Sequence, residues 1–320
     1  MAFPAAEGVR RHWEELPDAL RATIEARLGA PVVAATTQPG GFSPGLATRL
    51  RLADGQRVFL KALSSTPNPQ SPEMHRREAR VAAALPPTAP APTLRWAHDD
   101  GDWVVLAFED VDGTHPILPW RPHELTRVLD ALAELAAILT PSPVELEAPG
   151  SLIGGSFDRW RRLVDGRAGR DGLAPDVLDH LDELAELESG WAEAATGTTL
   201  VHLDVRADNL LLTPDRVYLV DWPWAAVGAP WLDLMAMLPS VAMQGGPDPA
   251  EVWGASPIGR AADDDRVYAV LAALTGMFVV GALDPPPPGL PTVRAFQAGQ
   301  GRTAWGWLAG RRGWRAVSRR

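Results

Sequence analysis

The first third of the chain alternates hydrophobic and polar positions in short runs, a pattern typical of β-strands. A helix over residues 18–28 is expected before these runs and should end at Gly29, a residue that suits a helix terminus. The expected strands cover residues 32–37, 46–52, 57–63, 94–97 and 103–108. The pattern predicts one sheet of about five strands, with a second helix, opening at Ser71-Pro72, between the third and fourth strands.

After residue 109 the hydrophobic positions recur mostly at helical spacing. The predicted helices cover residues 123–139, 158–164, 175–194, 231–244, 262–280 and 292–309. Strands followed by helices indicate an α+β fold of two lobes with a binding cleft between them. We place the boundary after residue 109, which gives predicted domains of residues 1–109 and 110–320.

The segment 201–221, VHLDVRADNLLLTPDRVYLVD, interrupts the helical pattern with a predicted hairpin. Its strands are expected over residues 210–212 and 217–220. In such a hairpin the partner of residue 209 is about residue 220, so Asn209 and Asp221 should meet at the open end. Two oxygen ligands on strand ends can share a Mg²⁺ ion, and Asp204 on the preceding loop adds a free carboxylate. These positions favour phosphoryl-transfer chemistry; the alternative is an ordinary hairpin with polar ends.

Lysine usage identifies a second candidate. Of the 30 basic residues 29 are arginine, and the one lysine is Lys61, in the predicted strand 57–63. Because a lysine ammonium is a compact point charge and a guanidinium is a planar fork, the two are not interchangeable between phosphates and a carboxylate. A role in phosphate binding is one interpretation of Lys61, and a lysine left by chance on an edge strand is the other.

A carboxylate partner for Lys61 is expected on the following helix. Glu78 falls on the apolar stripe of that helix with Met74 and Val81. A glutamate on a buried face needs a cation, because an unpaired buried charge is costly. We favour Lys61 as that cation over a neighbouring arginine such as Arg77.

The order His202-Leu203-Asp204, then Asn209, then Asp221-Trp222-Pro223 resembles the catalytic loop and metal-binding aspartate of protein kinases. Protein kinases carry arginine in place of Leu203 and Phe-Gly after the second aspartate. These departures resemble the aminoglycoside phosphotransferase family and related small-molecule kinases. The resemblance implies a protein-kinase-like fold, with an N-terminal nucleotide-binding lobe of antiparallel sheet plus helix and a mainly helical C-terminal lobe for catalysis and substrate binding.

The resemblance also implies roles for individual residues. Asp204 would be the catalytic base that orients the acceptor hydroxyl, and Asn209 and Asp221 would hold Mg²⁺. Arg206 stands where protein kinases carry a lysine that touches the transferring phosphate. The implied cofactors are ATP or GTP and Mg²⁺, with Lys61 paired to Glu78 beside the phosphates.

Two further segments are expected to contact the nucleotide. In the glycine-rich string of residues 40–45, backbone N–H groups around Gly41 and the hydroxyl of Ser43 would bind phosphates, although a plain hairpin turn is the alternative. The exit from the sheet, which includes Phe108, Glu109 and Val111, lies where kinase-like folds place the hinge that binds adenine.

Composition narrows the class of protein without identifying a substrate. The chain is 46% hydrophobic and 22% charged and has no cysteine, which excludes disulfides and thiol chemistry. We expect a cytoplasmic location, since there is no leader pattern and no run of ~18 apolar residues for a bilayer. A net charge of −10 argues against nucleic acid as a partner, and nothing indicates an obligate protein partner.

The acceptor is the least determined part of the prediction. Residues 231–284, expected to wall the acceptor side of the cleft, hold seven acidic residues against two arginines. One interpretation is an acidic wall that attracts a cationic acceptor such as an aminoglycoside, and the other is a solvated helical surface. A kinase of a sugar, amino alcohol or amino acid is an alternative, and a pseudokinase that only binds nucleotide is disfavoured by the complete set of site residues.

Two polar residues near the hairpin are expected to be structural. His202 is interpreted as a hydrogen-bonded anchor of the loop, and Asp233 as a buried brace at a helix start that accepts loop N–H bonds.

Overall fold

The strands of the N-terminal region form one six-stranded sheet in the computed structural model, which describes residues 10–38, 45–66, 71–287 and 290–314. The strands are β1 (Arg10–Arg11), β2 (Val32–Thr37), β3 (Gly45–Leu52), β4 (Arg57–Ser64), β5 (Leu94–Asp99) and β6 (Trp103–Glu109). The order is β1-β3-β4-β6-β5, and β2 also pairs with β3. The predicted antiparallel sheet is confirmed, and β1, which runs parallel to β3, is an addition that the pattern did not predict.

A helix covers each face of this sheet. Helix α1 (Asp18–Leu28), which ends at Gly29 in the left-handed conformation (φ 81°), packs on the face that includes Val105. Helix α2 (Ser71–Ala84) packs on the opposite face, which includes the adjacent residue Leu106. Both residues are fully buried because side chains alternate across a strand and both faces are covered.

The described chain after residue 109 is mainly helical. Its helices are α3 (Pro122–Ile138), α4 (Pro149–Ile153), α5 (Arg159–Val164), α6 (Pro175–Leu178), α7 (Leu181–Ser189), α8 (Trp191–Ala194), α9 (Leu232–Met243), α10 (Pro249–Ala255), α11 (Pro257–Ala261), α12 (Asp264–Gly281) and α13 (Val293–Arg312). Helix α12 is central, because it packs against α5, α7, α8 and α13. The mixed α+β organisation predicted for the chain is thereby confirmed.

Four short strands lie within the helical region, and they hold the loop of segment 201–221. They are β7 (Thr199–Val201), β8 (Leu210–Leu212), β9 (Val217–Leu219) and β10 (Ala226–Gly228). β7 pairs with β10, and β8 pairs with β9. The N–H of Val220 donates to the carbonyl of Asn209 at 3.0 Å, so the predicted register of the hairpin is correct.

The prediction of one helix over residues 175–194 is wrong, since the segment forms α6, α7 and α8. His180 leaves the helical conformation (φ −113°, ψ 13°), and its ring stacks on Trp314 with centroids 4.3 Å apart. Gly190, a poor helix former, separates α7 from α8. Local backbone breaks of this kind leave the hydrophobic spacing of the sequence unchanged.

Helices α4, α10 and α11 were not predicted either. Each begins with a proline, Pro149, Pro249 or Pro257, and none exceeds seven residues. So short a helix spans at most two turns, which is too few to show helical periodicity.

No helix in the described ranges has the length and hydrophobicity needed to cross a bilayer. The division of the chain after residue 109 falls at the end of β6 and remains a prediction.

Close packing around α12 generates a test of the fold. A Cβ atom added at Gly276 would lie 2.7 Å from Nε1 of Trp160, an indole that donates to the carbonyl of Ala272 at 2.8 Å. Gly276→Ala should therefore lower the free energy of unfolding by about 1–3 kcal/mol. Gly306→Ala is the matched control, because Gly306 is also within a helix but has nothing within 4 Å of the new Cβ. It should raise stability by up to about 1 kcal/mol. Urea unfolding of both variants measures the difference, and equal effects would contradict this packing.

Candidate active site

The loop between β7 and β8 is held by a buried carboxylate. Asp233, in the first turn of α9, accepts hydrogen bonds from the N–H groups of His202 (2.9 Å) and Leu203 (2.7 Å). Burial raises the pKa of Asp233 to about 6, and the two N–H donors oppose the shift. The predicted brace is confirmed. It stabilises a loop in which Leu203 has a positive φ of 60°, a conformation that non-glycine residues rarely adopt.

His202 is the structural anchor that the sequence predicted. Its Nδ1 accepts from the N–H of Asp204 at 3.2 Å, so its Nε2 is the nitrogen that donates to the carbonyl of Val220 at 3.0 Å. The ring is fully buried, and burial lowers the pKa of His202 to about 4. A neutral imidazole therefore links the loop before Asp204 to the strand before Asp221.

The side chain of Asp204 contacts those of Arg206 and Asn209. It forms an ion pair with Arg206, and its Oδ2 accepts from Nδ2 of Asn209 at 3.1 Å. Arg206 also pairs with Asp208 at 2.9 Å. Burial raises the pKa of Asp204 to about 7, although the positive charge of Arg206 opposes this shift. The carboxylate side chain is 22% exposed, so a ligand can reach it.

Lys61 joins the sheet to the hairpin. Its Nζ donates to Oε1 of Glu78 at 2.6 Å and to Oδ1 of Asp221 at 2.7 Å, and the side chain is 12% exposed. The predicted pairing with Glu78 is present, while Arg77 pairs with Glu147 instead. Burial lowers the pKa of Lys61, but the carboxylates outweigh burial, so the net shift is upward and the ammonium stays charged. The same ammonium holds the pKa of Asp221 low against the effect of burial.

Asn209 and Asp221 lie next to each other at the open end of the hairpin, as the register requires. Asn209 is buried, and its Nδ2 faces Asp204, donating to the backbone carbonyl at 2.8 Å. Its Oδ1 accepts no hydrogen bond from any residue that the structure describes. Asp221 has a positive φ of 69°. Non-glycine residues with this backbone conformation are rare, and they cluster at functional sites.

The Asn209 and Asp221 side chains together offer few oxygen atoms. That number suits Mg²⁺ better than a metal ion bound by protein groups alone. No group of three or more histidine or carboxylate side chains suited to a metal occurs in the described ranges. Mg²⁺ usually takes one or two carboxylate or carbonyl oxygens and fills its other positions with water and substrate phosphates. The Asp221 carboxylate and the unused Asn209 oxygen meet that requirement.

The remaining predicted nucleotide contacts lie in two places. Gly41 and Ser43 fall outside the described residues. Phe108 and Glu109 end β6, and Val111 follows two residues later. The carbonyl of Val111 already accepts from Nη2 of Arg49 at 3.0 Å and from the N–H of Gly113 at 2.9 Å. An adenine contact in this segment remains a prediction.

Arg10 is a charged residue near the site that the sequence did not identify. It lies in β1 opposite Gly45, the last residue of the glycine-rich string and the one residue of it that the structure describes. Burial lowers the pKa of Arg10, and the negative charge of Asp221 opposes that shift. A two-residue strand has no periodicity, so no pattern in the sequence distinguishes Arg10 from the other arginines.

A cavity of about 300 Å³ opens beside Asp204 and Arg206. Residues 231–284 supply part of its wall, through α9 and α12. None of the seven acidic residues of that segment lines the cavity: Asp233, Asp248, Glu251, Asp263, Asp264, Asp265 and Asp284. This cavity therefore gives no support to the interpretation of these residues as an acidic wall. They brace the loop, cap helices or lie at the surface.

The fold and the site together define a small-molecule kinase with a protein-kinase-like fold. The sequence profile of the phosphotransferase enzyme family matches residues 40–274, so the chain belongs to this family. The predicted resemblance to aminoglycoside phosphotransferases and their relatives is confirmed at the level of the family. No curated sequence matches the chain significantly.

Solved structures share the fold over nearly the whole chain. A choline/ethanolamine kinase family protein from Mesorhizobium loti is 18% identical, covers 91% of this chain and 94% of its own, and has a TM-score of 0.59. The choline kinase LicA from Streptococcus pneumoniae is 12% identical, with coverage of 91% and 98% and a TM-score of 0.59. A macrolide 2'-phosphotransferase type I is 18% identical, with coverage of 90% and 98% and a TM-score of 0.53. At these identities the similarity shows the fold alone.

The brace at Asp233 generates a prediction about the loop. In Asp233→Asn one oxygen that accepts from a backbone N–H becomes an NH₂ group, which leaves a buried donor unpaired. We expect a loss of about 1–3 kcal/mol in the free energy of unfolding and at least a tenfold loss of phosphotransferase activity. Asp265→Asn, in the first turn of α12, is the control and should change stability by less than about 0.5 kcal/mol. Normal activity in Asp233→Asn would show that the loop does not depend on this brace.

Proposed function

We propose that the protein transfers the γ-phosphoryl group of Mg²⁺-bound ATP or GTP to a hydroxyl group of a small molecule. The observation that carries this proposal is the position of Asp204. This carboxylate hydrogen-bonds Asn209 on the metal side and also lines the cavity on the other side. A hydroxyl in the cavity can therefore meet Asp204 next to the proposed phosphate site.

Asp204 acts in this proposal as the base that orients the acceptor. The acceptor oxygen attacks the γ-phosphorus and its proton passes to Asp204, while the bond to the leaving nucleoside diphosphate breaks with its electron pair. A pKa raised toward 7 by burial suits proton transfer near neutral pH. The ion pair with Arg206 and the bond from Asn209 fix the direction of the carboxylate.

In this proposal, charged groups align the phosphates of the nucleotide. Asn209 and Asp221 would hold Mg²⁺, which supplies charge neutralisation for the phosphates when bound. Lys61 would place its ammonium against the phosphates while Glu78 holds it from behind. Arg206, in contact with Asp204, is positioned to contact the transferring group.

We assign recognition of the nucleotide's adenine ring and of its phosphate oxygens to segments in or next to the N-terminal sheet. Gly41 and Ser43 are proposed to bind phosphate oxygens, and Phe108, Glu109 and Val111 to form the adenine-binding hinge. In this proposal residues 1–109 form the nucleotide-binding lobe and residues 110–320 the catalytic and acceptor-binding lobe.

Removal of the base tests the proposed reaction. Asp204→Asn should lower kcat by at least about a hundredfold while nucleotide affinity changes little, since the carboxylate meets the acceptor rather than the nucleotide. Phosphate transfer and calorimetry with ATP and Mg²⁺ measure the two effects. Asp215→Asn, at the exposed turn of the same hairpin, is the control and should retain full activity. Turnover of Asp204→Asn within tenfold of wild type would remove Asp204 from this role.

Replacement of the lone lysine tests the phosphate side. Lys61→Arg should lower kcat/KM about a hundredfold, nearly as much as Lys61→Ala, because a misplacement of ~1 Å has that effect on rate. A guanidinium cannot occupy the point that Nζ shares with Glu78 and Asp221.

Arg57→Lys, on the same strand but half-exposed, is the matched control and should stay within about twofold of wild type. Thermal midpoints of the variants separate a loss of chemistry from a loss of folding. A fully active Lys61→Arg enzyme would transfer the phosphate-anchoring role to an arginine, with Arg206 as the first candidate.

A further inference from the structure

The cavity beside Asp204 is built from the apolar faces of three helices. Helix α12 contributes Val270, Leu274 and Met277, at successive spacings of four and three residues. Helix α9 contributes Leu232 and Met235 in the same way, and α13 adds a further face. Residues at these spacings share one side of a helix. Whole helical faces, rather than single side chains, therefore line the cavity.

The lining of this cavity carries no net charge. Its charged side chains among the described residues are Asp204 and Arg206, which have opposite signs and pair with each other. A polycationic acceptor would leave water for an apolar wall without anionic partners, which is strongly unfavourable. An apolar ligand of matching shape would instead gain from the same wall, because its surface leaves water.

A nearly buried glutamine in the wall has an unused amide. Gln300 on α13 lines the cavity and is 4% exposed, yet its amide makes no hydrogen bond to any described residue. Its neighbour in the wall, Gln297, already accepts from Nη1 of Arg294 at 2.7 Å. The amide atoms of Gln300 have no protein partner and keep a small exposed area, and the residue lines the cavity, so the amide is available to a polar group of the ligand.

We propose that the acceptor is an uncharged, mainly apolar alcohol, which presents its reacting hydroxyl to Asp204 and a second polar group to Gln300. This inference rests on the proposed phosphotransfer and adds the class of acceptor. A cavity of about 300 Å³ is at the lower end of the range that holds drug-sized ligands, so the acceptor is a compact multi-ring alcohol rather than a macrocycle or a two- or three-carbon metabolite.

A comparison of acceptor panels tests the class. Wild-type protein with Mg²⁺ and ATP is assayed for phosphate transfer to an uncharged panel of hydroxysteroids and other compact multi-ring alcohols, and to a cationic panel of streptomycin, kanamycin and choline. Calorimetry with both panels runs in parallel. We expect kcat/KM at least tenfold higher for the best uncharged alcohol, and a KM that does not change with salt, because no ion pair is formed.

The experiment distinguishes a failure of the proposed acceptor class from a failure of the proposed phosphotransfer. Preferred transfer to a cationic acceptor would overturn the acceptor class and leave the phosphotransferase intact. Binding of uncharged alcohols without transfer to any compound would overturn the proposed function, and with it the role of the cavity as an acceptor site. An absence of both binding and transfer in the uncharged panel would overturn the acceptor class directly.

Substitutions of Gln300 test the specific contact. Gln300→Leu should raise the acceptor KM about tenfold, with kcat and the nucleotide KM within about twofold, and should not lower the thermal midpoint, since the amide has no partner to lose. Gln300→Glu keeps the shape, and in assays at a pH high enough to ionise the buried carboxyl group it should raise the KM of uncharged acceptors and lower that of cationic ones. Gln56→Leu, the same change of side chain at an exposed position outside the cavity lining, is the control and should change the acceptor KM by less than about threefold.

A structural role for Gln300 would give the opposite result. In that case Gln300→Leu would lower the thermal midpoint and leave the acceptor KM unchanged. That result, or a KM for uncharged acceptors that falls in Gln300→Glu, would overturn the proposed contact.

Discussion

The site depends on the contact of one ammonium group with two carboxylates from different parts of the chain. Lys61 reaches Glu78 from the sheet side and Asp221 from the hairpin side, over distances of 2.6 and 2.7 Å. A buried ion pair of this kind contributes little net stability, because desolvation offsets the attraction. Its effect is positional: with Lys61 in place, the predicted metal ligand Asp221 has a defined distance from the sheet.

Much of this half of the site was predictable because it rests on local rules. The hairpin register follows from turn and strand patterns, and it brings Asn209 beside Asp221. Glu78 was identified as a buried cation partner from its place on an apolar helical stripe, and the lone Lys61 was identified by composition. Lys61 and Glu78 are 17 residues apart, and Asn209 and Asp221 are 12 residues apart, so each predicted pair lies within a short stretch of the chain.

The wall of the proposed acceptor site was not predictable, because it is assembled from helix faces that are distant in the chain. The acidic residues between positions 231 and 284 were counted correctly, but the sequence does not tell which side of a helix meets the cavity. Asp263 and Asp264 begin α12, whereas Val270 and Leu274 of the same helix line the cavity. Arg10 was missed for a related reason, since its place beside β3 is fixed by tertiary pairing alone.

The two sides therefore differ in how a substitution affects them. On the nucleotide side each charged group is held by another, so a change at Lys61 is felt at Glu78 and Asp221 together. On the acceptor side the wall consists of apolar side chains that can be exchanged for others of similar volume at modest cost. A polar group such as Gln300 can be introduced or removed there without disturbing Asp204, because the loop that carries Asp204 is held separately by Asp233 and His202. Under the proposed function, this separation would let one phosphoryl-transfer site serve different acceptors, with the determinants of substrate choice on α9, α12 and α13 rather than on the catalytic loop.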